Sequence, residues 1–196
     1  FMKKILLSLL FIAPLFVFGQ KFKVISGSLT PLVSEKNFKV EFDFSEVKYY
    51  KENMSEEKYI QRRIEKKDAE DINTIKEEWQ KTKDVRCPDK FFAAAGKHSK
   101  IRKYSADADS KYTLIVKPQW IYPGWFGGVM KEPSKLNCNF VFVETANPSN
   151  VVTTISCIGA VGDIYPVGIP VTNNRIAEAF AQGGAAFVKF IDKKAK

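Results

Sequence analysis

Residues 111–158, KYTLIVKPQWIYPGWFGGVMKEPSKLNCNFVFVETANPSNVVTTISCI, constrain the chain more than any other stretch. They read as three strands joined by a Gly/aromatic loop and a tight turn. Lys111 to Ile121 is rich in Tyr, Thr, Leu, Ile, Val and Trp, residues that suit a pleated, half-buried surface. Asn139 to Glu144 and Val151 to Ile158 flank Ala146-Asn147-Pro148-Ser149, which has turn chemistry. Closing the chain there sets Cys138 opposite Cys157, Phe140 opposite Ile155 and Phe142 opposite Thr153. Cys138, Phe140, Phe142, Val151, Ile155 and Cys157 then share a core face. Asn139, Thr154 and Ser156 share the other with Val141, Val143 and Val152. That second face is only half polar, so something is expected to cover part of it.

The remaining elements are read from their periods. Phe22 to Leu29 is a first strand, ended by Thr30-Pro31. In Phe38 to Val47, Phe38, Val40, Phe42 and Phe44 alternate with Lys39, Glu41, Asp43 and Ser45, so one face is buried and one wet. Glu41 and Asp43 are better read as that solvated face than as an acid/base pair. From Ser55, a helix N-cap followed by Glu56 and Glu57, the period becomes helical. Its narrow stripe is Ile60, Ile64, Ile72, Ile75 and Trp79, with a break near Asp68. Pro88 and Asp89 open a shorter helix, with Gly96 as its weak point or cap. The last helix starts near Asn173 or Asn174 and puts Ile176, Phe180, Gly183, Gly184, Phe187, Phe190 and Ile191 on one face. Two mid-helix glycines predict a close approach to the sheet. The strand–helices–strand order between Val47 and Lys111 predicts a parallel crossover. The expected fold is α+β, a two-layer sandwich with a mixed sheet of about five strands and helices on one face.

Residues 2–19, MKKILLSLLFIAPLFVFG, have the basic start, apolar run and small-residue end of a secretory signal peptide. Residues 1–19 are therefore expected to be removed. That leaves residues 20–196 as one α+β domain with a helical segment at 55–103, and no membrane-spanning segment in the mature chain. No cysteine follows Gly19 to accept a lipid. Loss of Lys3 and Lys4 takes the formal charge from +9 to +7. Outside the cytoplasm, such a balance favours anionic lipid surfaces, acidic glycans and acidic proteins over nucleic acid. The expected location is the periplasm, the outer membrane or the cell surface. The three cysteines leave one odd. Cys138 and Cys157 are either bridged, as an oxidising compartment permits, or buried as two small apolar residues. Cys87, beside Arg86, reads as buried rather than reactive.

Chemistry is harder to find. His98, the only histidine, lacks company for a metal site, and Asp107 and Asp109 lack the glycine and distal glutamate of a calcium loop. No metal or cofactor is expected. Gly159 to Val171 is a Gly/Pro loop, mobile or packed under a neighbour, without the lysine of a phosphate-binding loop. Trp120, Tyr122, Trp125 and Phe126 stand in a Gly/Pro segment too aromatic for an ordinary loop. They are either a minicore on the sheet or a partner-binding patch. Arg62 and Arg63 are either a basic face for anions or members of surface ion pairs.

The order FDFSEV, helices, DADSKYTLIVKPQWIYPG, the VETANPS hairpin and IAEAFAQGGAAFVKFI resembles a group of exported Gram-negative proteins of unknown function. More distantly, it is similar to the α/β envelope domains of the curli-secretion lipoprotein, the N-terminal domain of TolB and the lipoprotein activators of penicillin-binding proteins. The resemblance spans most of residues 38–192 and rests on element order. It implies a small mixed sheet with helices on one face, and accessory envelope roles built on protein contacts. The charged segment 55–83 departs from it as an insertion, and no functional residue carries over. The leading expectation is a non-enzymatic envelope protein that binds a partner through the aromatic loop and basic helical face. A structural subunit of a larger assembly comes second, and a hydrolase of unrecognised type third.

Overall fold

The structure, a computed structural model, describes residues 20–65 and 69–195, and the expected leader at 1–19 lies outside them. In chain order the elements are β1 (Lys21–Gly27), β2 (Asn37–Phe42), β3 (Lys48–Tyr49), α1 (Glu56–Ile64), α2 (Ala69–Lys81), α3 (Cys87–His98), β4 (Lys103–Ser105), β5 (Tyr112–Tyr122), β6 (Trp125–Phe126), β7 (Lys131–Glu132), β8 (Lys135–Glu144), β9 (Asn147–Val161) and α4 (Thr172–Lys194). One mixed sheet runs β1-β9-β8-β5-β2-β4, with β3 also on β5, and a small second ladder joins β6 to β7.

The main sheet has seven strands, not about five. The additional two, β3 and β4, are two and three residues long, too short to show a period of two. β2 lies parallel to both β4 and β5, as the crossover reading expects, whereas β8 pairs antiparallel with β5 and β9. Pro118 sits within β5, opposite Cys138 of β8. It has no N–H to donate, and beside it the β2–β3 line is interrupted, β2 ending opposite Val116 and β3 resuming opposite Trp120. Lys117 spans the interruption, pairing with Asp43 at 3.2 Å and Glu46 at 2.9 Å.

The β8–β9 hairpin has the expected register: Cys138 faces Cys157, Phe140 faces Ile155 and Phe142 faces Thr153. Cys138 and Cys157 are free and buried. Burial pushes the Cys157 thiol up to about 12. Burial, then the neighbouring Cys157, pushes Cys138 up as well. Two expectations fail near the turn. The turn is Thr145-Ala146, with Asn147 and Pro148 already in β9. Register shifts on both sides of Val143 then turn Val151, expected in the core, out to solvent at 50% exposure. Thr153 is buried instead, its hydroxyl donating to the Ser26 carbonyl at 2.9 Å.

Ser55 caps α1, accepting from the Lys58 N–H at 3.4 Å. The apolar stripe is shifted from its expected position. Tyr59 is the buried residue of α1, while Ile60, Ile64, Ile72 and Ile75 are only half-buried. Aromatic packing wins at this point: Tyr59 stacks on Tyr49 at 4.5 Å and meets the edge of Trp79 at 5.1 Å. A π-helical turn at Thr82–Arg86 carries the chain directly from α2 into α3. α3 runs through Gly96 to a cap at Ser99, so Gly96 neither breaks nor caps it. On α4, Ile176, Phe180, Phe187 and Ile191 are buried, and Phe187 stacks on Phe140 of β8 at 4.0 Å. Phe190 is partly buried beside Phe22, at 5.4 Å.

Candidate functional site: an apolar tip at one end of the sheet

The expected contact residues divide into three groups. Trp120 and Tyr122 belong to β5, not to a loop, and their rings stack 6.2 Å apart. The Trp120 indole donates to the Tyr50 carbonyl at 2.7 Å, and the Tyr122 hydroxyl donates to Glu132 at 2.6 Å. Tyr50, which the sequence does not single out, lies 6.0 Å from Tyr122 and carries the Arg62 guanidinium 4.7 Å above its ring. Arg62 also pairs with Glu52 at 3.3 Å. Trp120, Tyr122 and Arg62 thus converge around Tyr50. Tyr50, Lys51, Glu52, Arg62 and Tyr122 line a shallow groove of about 330 Å³. Arg63 is separate. It donates to Asn173 at 2.9 Å and lies 5.6 Å above Tyr59, tying α1 to α4.

Trp125 and Phe126 form β6, and with β7 they make a hairpin whose turn is residues 127–130. Phe126 is half-buried against the loop of residues 162–171, where a Cβ on Gly168 would fall 2.7 Å from its ring. Lys131 joins the same two segments. Its ammonium pairs with the buried Asp163 at 2.9 Å and also donates to the Tyr165 carbonyl. Arg175, on the first turn of α4 and 2% exposed, completes the clamp. It donates to the carbonyls of Ile169 at 2.6 Å, Pro170 at 2.8 Å and Pro123 at 3.3 Å, and to the Thr172 hydroxyl at 3.1 Å. Its rigid fork of donors suits several acceptors converging from two loops. The Gly/Pro loop is therefore fastened at its base.

What this base presents is apolar. Among the described residues thirteen large hydrophobic side chains are exposed, and seven of them are on these two segments: Trp125, Val129, Met130, Ile164, Tyr165, Val167 and Val171. Val129 is fully exposed, Val167 84% and Met130 68%, while Trp125 and Tyr165, at 44% and 51%, are less exposed. Residues 123–131 and 164–177 contain no Asp or Glu. The clustering decides that this is a patch and not the scatter of single hydrophobics found on any surface. Trp120 and Tyr122 pack against their neighbours, and Trp125 is exposed. The partners of the patch in residues 162–171 are visible as IYPVGIPV, although nothing in that run announces the carbonyl clamp beneath it.

Other candidates resolve against chemistry. Cys87 is buried and its thiol is pushed up by burial, while Arg86 is engaged by Glu78 at 2.5 Å. Cys87 and His98 are the first and last residues of α3, and a helix rise of about 1.5 Å per residue separates them by roughly 16 Å. They are not a nucleophile pair. Glu41 pairs with Lys39 at 2.8 Å on the wet face of β2. Among the described residues no three His, Cys, Asp or Glu side chains gather as a metal site, and no helix is long and apolar enough to cross a membrane.

No protein-family model and no curated protein matches the chain. Among solved structures it is similar to the PelC dodecamer from Paraburkholderia phytofirmans, at 12% identity and a TM-score of 0.37, over 85% of this chain and 96% of that one. A variant of that dodecamer is similar at 13% identity and a TM-score of 0.35, over 85% and 98%. The superposition is loose at these values, and nothing about this chain's assembly follows from it.

Proposed function

We propose that the chain is a non-enzymatic, exported protein of the bacterial envelope, a single α+β domain that binds an envelope partner through the apolar tip. The observation that carries this reading is the concentration of seven exposed hydrophobic side chains on two segments locked together by Lys131 and Arg175. A partner that covered Val129, Met130 and Val167 would gain about 2 kcal/mol for each side chain fully removed from water. The fastening of the loops means that little ordering entropy opposes contact. We read the helices as one layer over one sheet face, in line with the resemblance to envelope domains. The Arg62 face adds positive charge beside the tip, without being its main contact, because Arg62 is already held by Glu52 and Tyr50.

A second reading, a subunit of a larger assembly, is favoured by Ile25, Val151 and Ile158, each about half exposed on the paired strands β1 and β9. The experiment is the native mass of the protein in mild-detergent extracts of the producing cell's envelope, for wild type and Trp125→Ala/Val129→Ser. The tip reading expects a large species in wild type and a monomer in the variant. A large species in both would move the contact to the β1–β9 face. A monomer in both, with no other ligand retained by the tip, would remove the proposal.

A further inference from the structure

Resting on that reading of the tip as a contact surface, we infer that its partner is a lipid bilayer, entered from the water side by the β6–β7 turn and the 162–171 loop. The exposed side chains differ in accessibility. Val129, Val167 and Met130 are the most exposed, and Ile164, Val171, Tyr165 and Trp125 are each about half exposed. Aliphatic groups match the acyl chains, and Trp and Tyr match the headgroup level, where one end of the ring is apolar and the other wet. No carboxylate stands among them. Asp163, at the base, is buried and neutralised by Lys131 at 2.9 Å. The net positive charge of the chain draws it toward an anionic leaflet.

Accessibility separates this occupant from a protein. Val129 is fully exposed and Val167 84% exposed, so the most apolar side chains of the tip are also its most solvent-accessible. Protein interfaces instead place their apolar anchors at the centre of a packed patch surrounded by a polar rim. A fluid apolar phase needs no matching pocket.

The test uses the full chain, vesicles of phosphatidylethanolamine and phosphatidylglycerol, and the variant Val129→Asp/Val167→Asp. Both positions are exposed, so folding is retained, which the thermal midpoint checks. Wild type is expected to float with the vesicles, and the variant to partition at least about tenfold less, as expected when charge replaces apolar surface at an inserted tip. Acyl-chain bromination should quench wild-type fluorescence and leave Trp125→Phe unquenched, since Trp79 is buried and Trp120 packed. Equal flotation of the variant, or full release of wild type by high salt, would mean adsorption by charge and overturn the inference. A concentration-dependent dimer abolished by the variant would assign the tip to a second copy and overturn it too. If wild type fails to float while its envelope complex still depends on Trp125 and Val129, the occupant is a protein. The bilayer inference then falls and the function proposed above stands. If both fail, both readings fall.

Discussion

Among the described residues Arg175 is one of the largest buried side chains, and it lies on a helix turn that the sequence presents as an ordinary polar start. Its acceptors come from Ile169, Pro170 and Thr172 nearby and from Pro123, 52 positions away in the chain. No local pattern encodes such a clamp, and an isolated arginine is read as surface by default. Arg175→Met keeps the volume and removes the donors, leaving buried carbonyls unpaired. It is expected to lower stability by about 3 kcal/mol, and to open residues 162–171 to proteolysis ahead of the sheet. Equal midpoints and equal cleavage would show that the carbonyls find water instead. The two α4 glycines make a sharper comparison. A Cβ on Gly184 would fall 2.7 Å from the Phe91 ring, whereas one on Gly183 would meet the Ala160 Cβ at 3.4 Å. Gly184→Ala should therefore lose about 1–3 kcal/mol by overpacking. Gly183→Ala should be near neutral, because a helix-propensity gain of up to about 1 kcal/mol offsets the tight contact. Close approach was readable from the pair GG; which glycine makes it, and that one of them faces α3 and not the sheet, was not.

Among the elements, the β8–β9 register was legible because three large or paired residues alternate on each strand, and a slip by one would turn all of them outward. The bulges beside Val143 were not, since a bulge is a local compromise that leaves the hydrophobic alternation unchanged on one strand only. Val151 is the residue misplaced by it. The same holds at the tip. The sequence marks a Gly/aromatic turn after Ile121, but not the bond from Tyr122 of β5 to Glu132 of β7. That bond makes the hairpin's attachment pH-dependent at both ends. The Tyr122 hydroxyl, then Lys135, holds the Glu132 carboxyl below its ordinary 4.5. Burial, then Glu132, pushes Tyr122 up from 10.0 to about 12. For the lowered carboxyl, the contribution is complete above pH 4.5 and is lost as pH falls through the lower folded value. For the raised phenol, it is complete below pH 10.0 and is lost as pH rises through about 12. Thermal midpoints should therefore fall at both extremes, and Tyr122→Phe should flatten both limbs relative to wild type. Parallel profiles for the two proteins would show that the bond does not couple protonation to folding.

At the scale of the molecule, the two halves of the core differ in how they are built. The sheet and α4 share a continuous set of fully buried side chains, including Leu114, Phe140, Phe142, Ile155, Phe187 and Ile191. α1 joins the rest mainly through Tyr59, with Arg63 reaching Asn173, and beside it runs an open groove of about 620 Å³ lined by Ile60, Ile64 and Ile72. α1 and α2 are tied to the rest of the molecule at the Tyr49–Tyr59–Trp79 cluster. Opening α1 exposes Tyr59 and the faces of Tyr49 and Trp79 that it covers, whereas opening β8 exposes the whole core. Native-state hydrogen exchange should therefore place the amides of Gln61 to Ile64 several kcal/mol below the global unfolding free energy, with Val116, Phe140 and Ile155 at the global value. Tyr59→Ala should lower protection across α1 and the last turns of α2, where Trp79 loses its partner, while β8 and β9 keep the exchange order they have in wild type. Protection of α1 equal to that of β8 would mean that the helical pair is integral to the fold. The open groove would then be a shallow feature of a cooperative whole, not the mark of a separable unit.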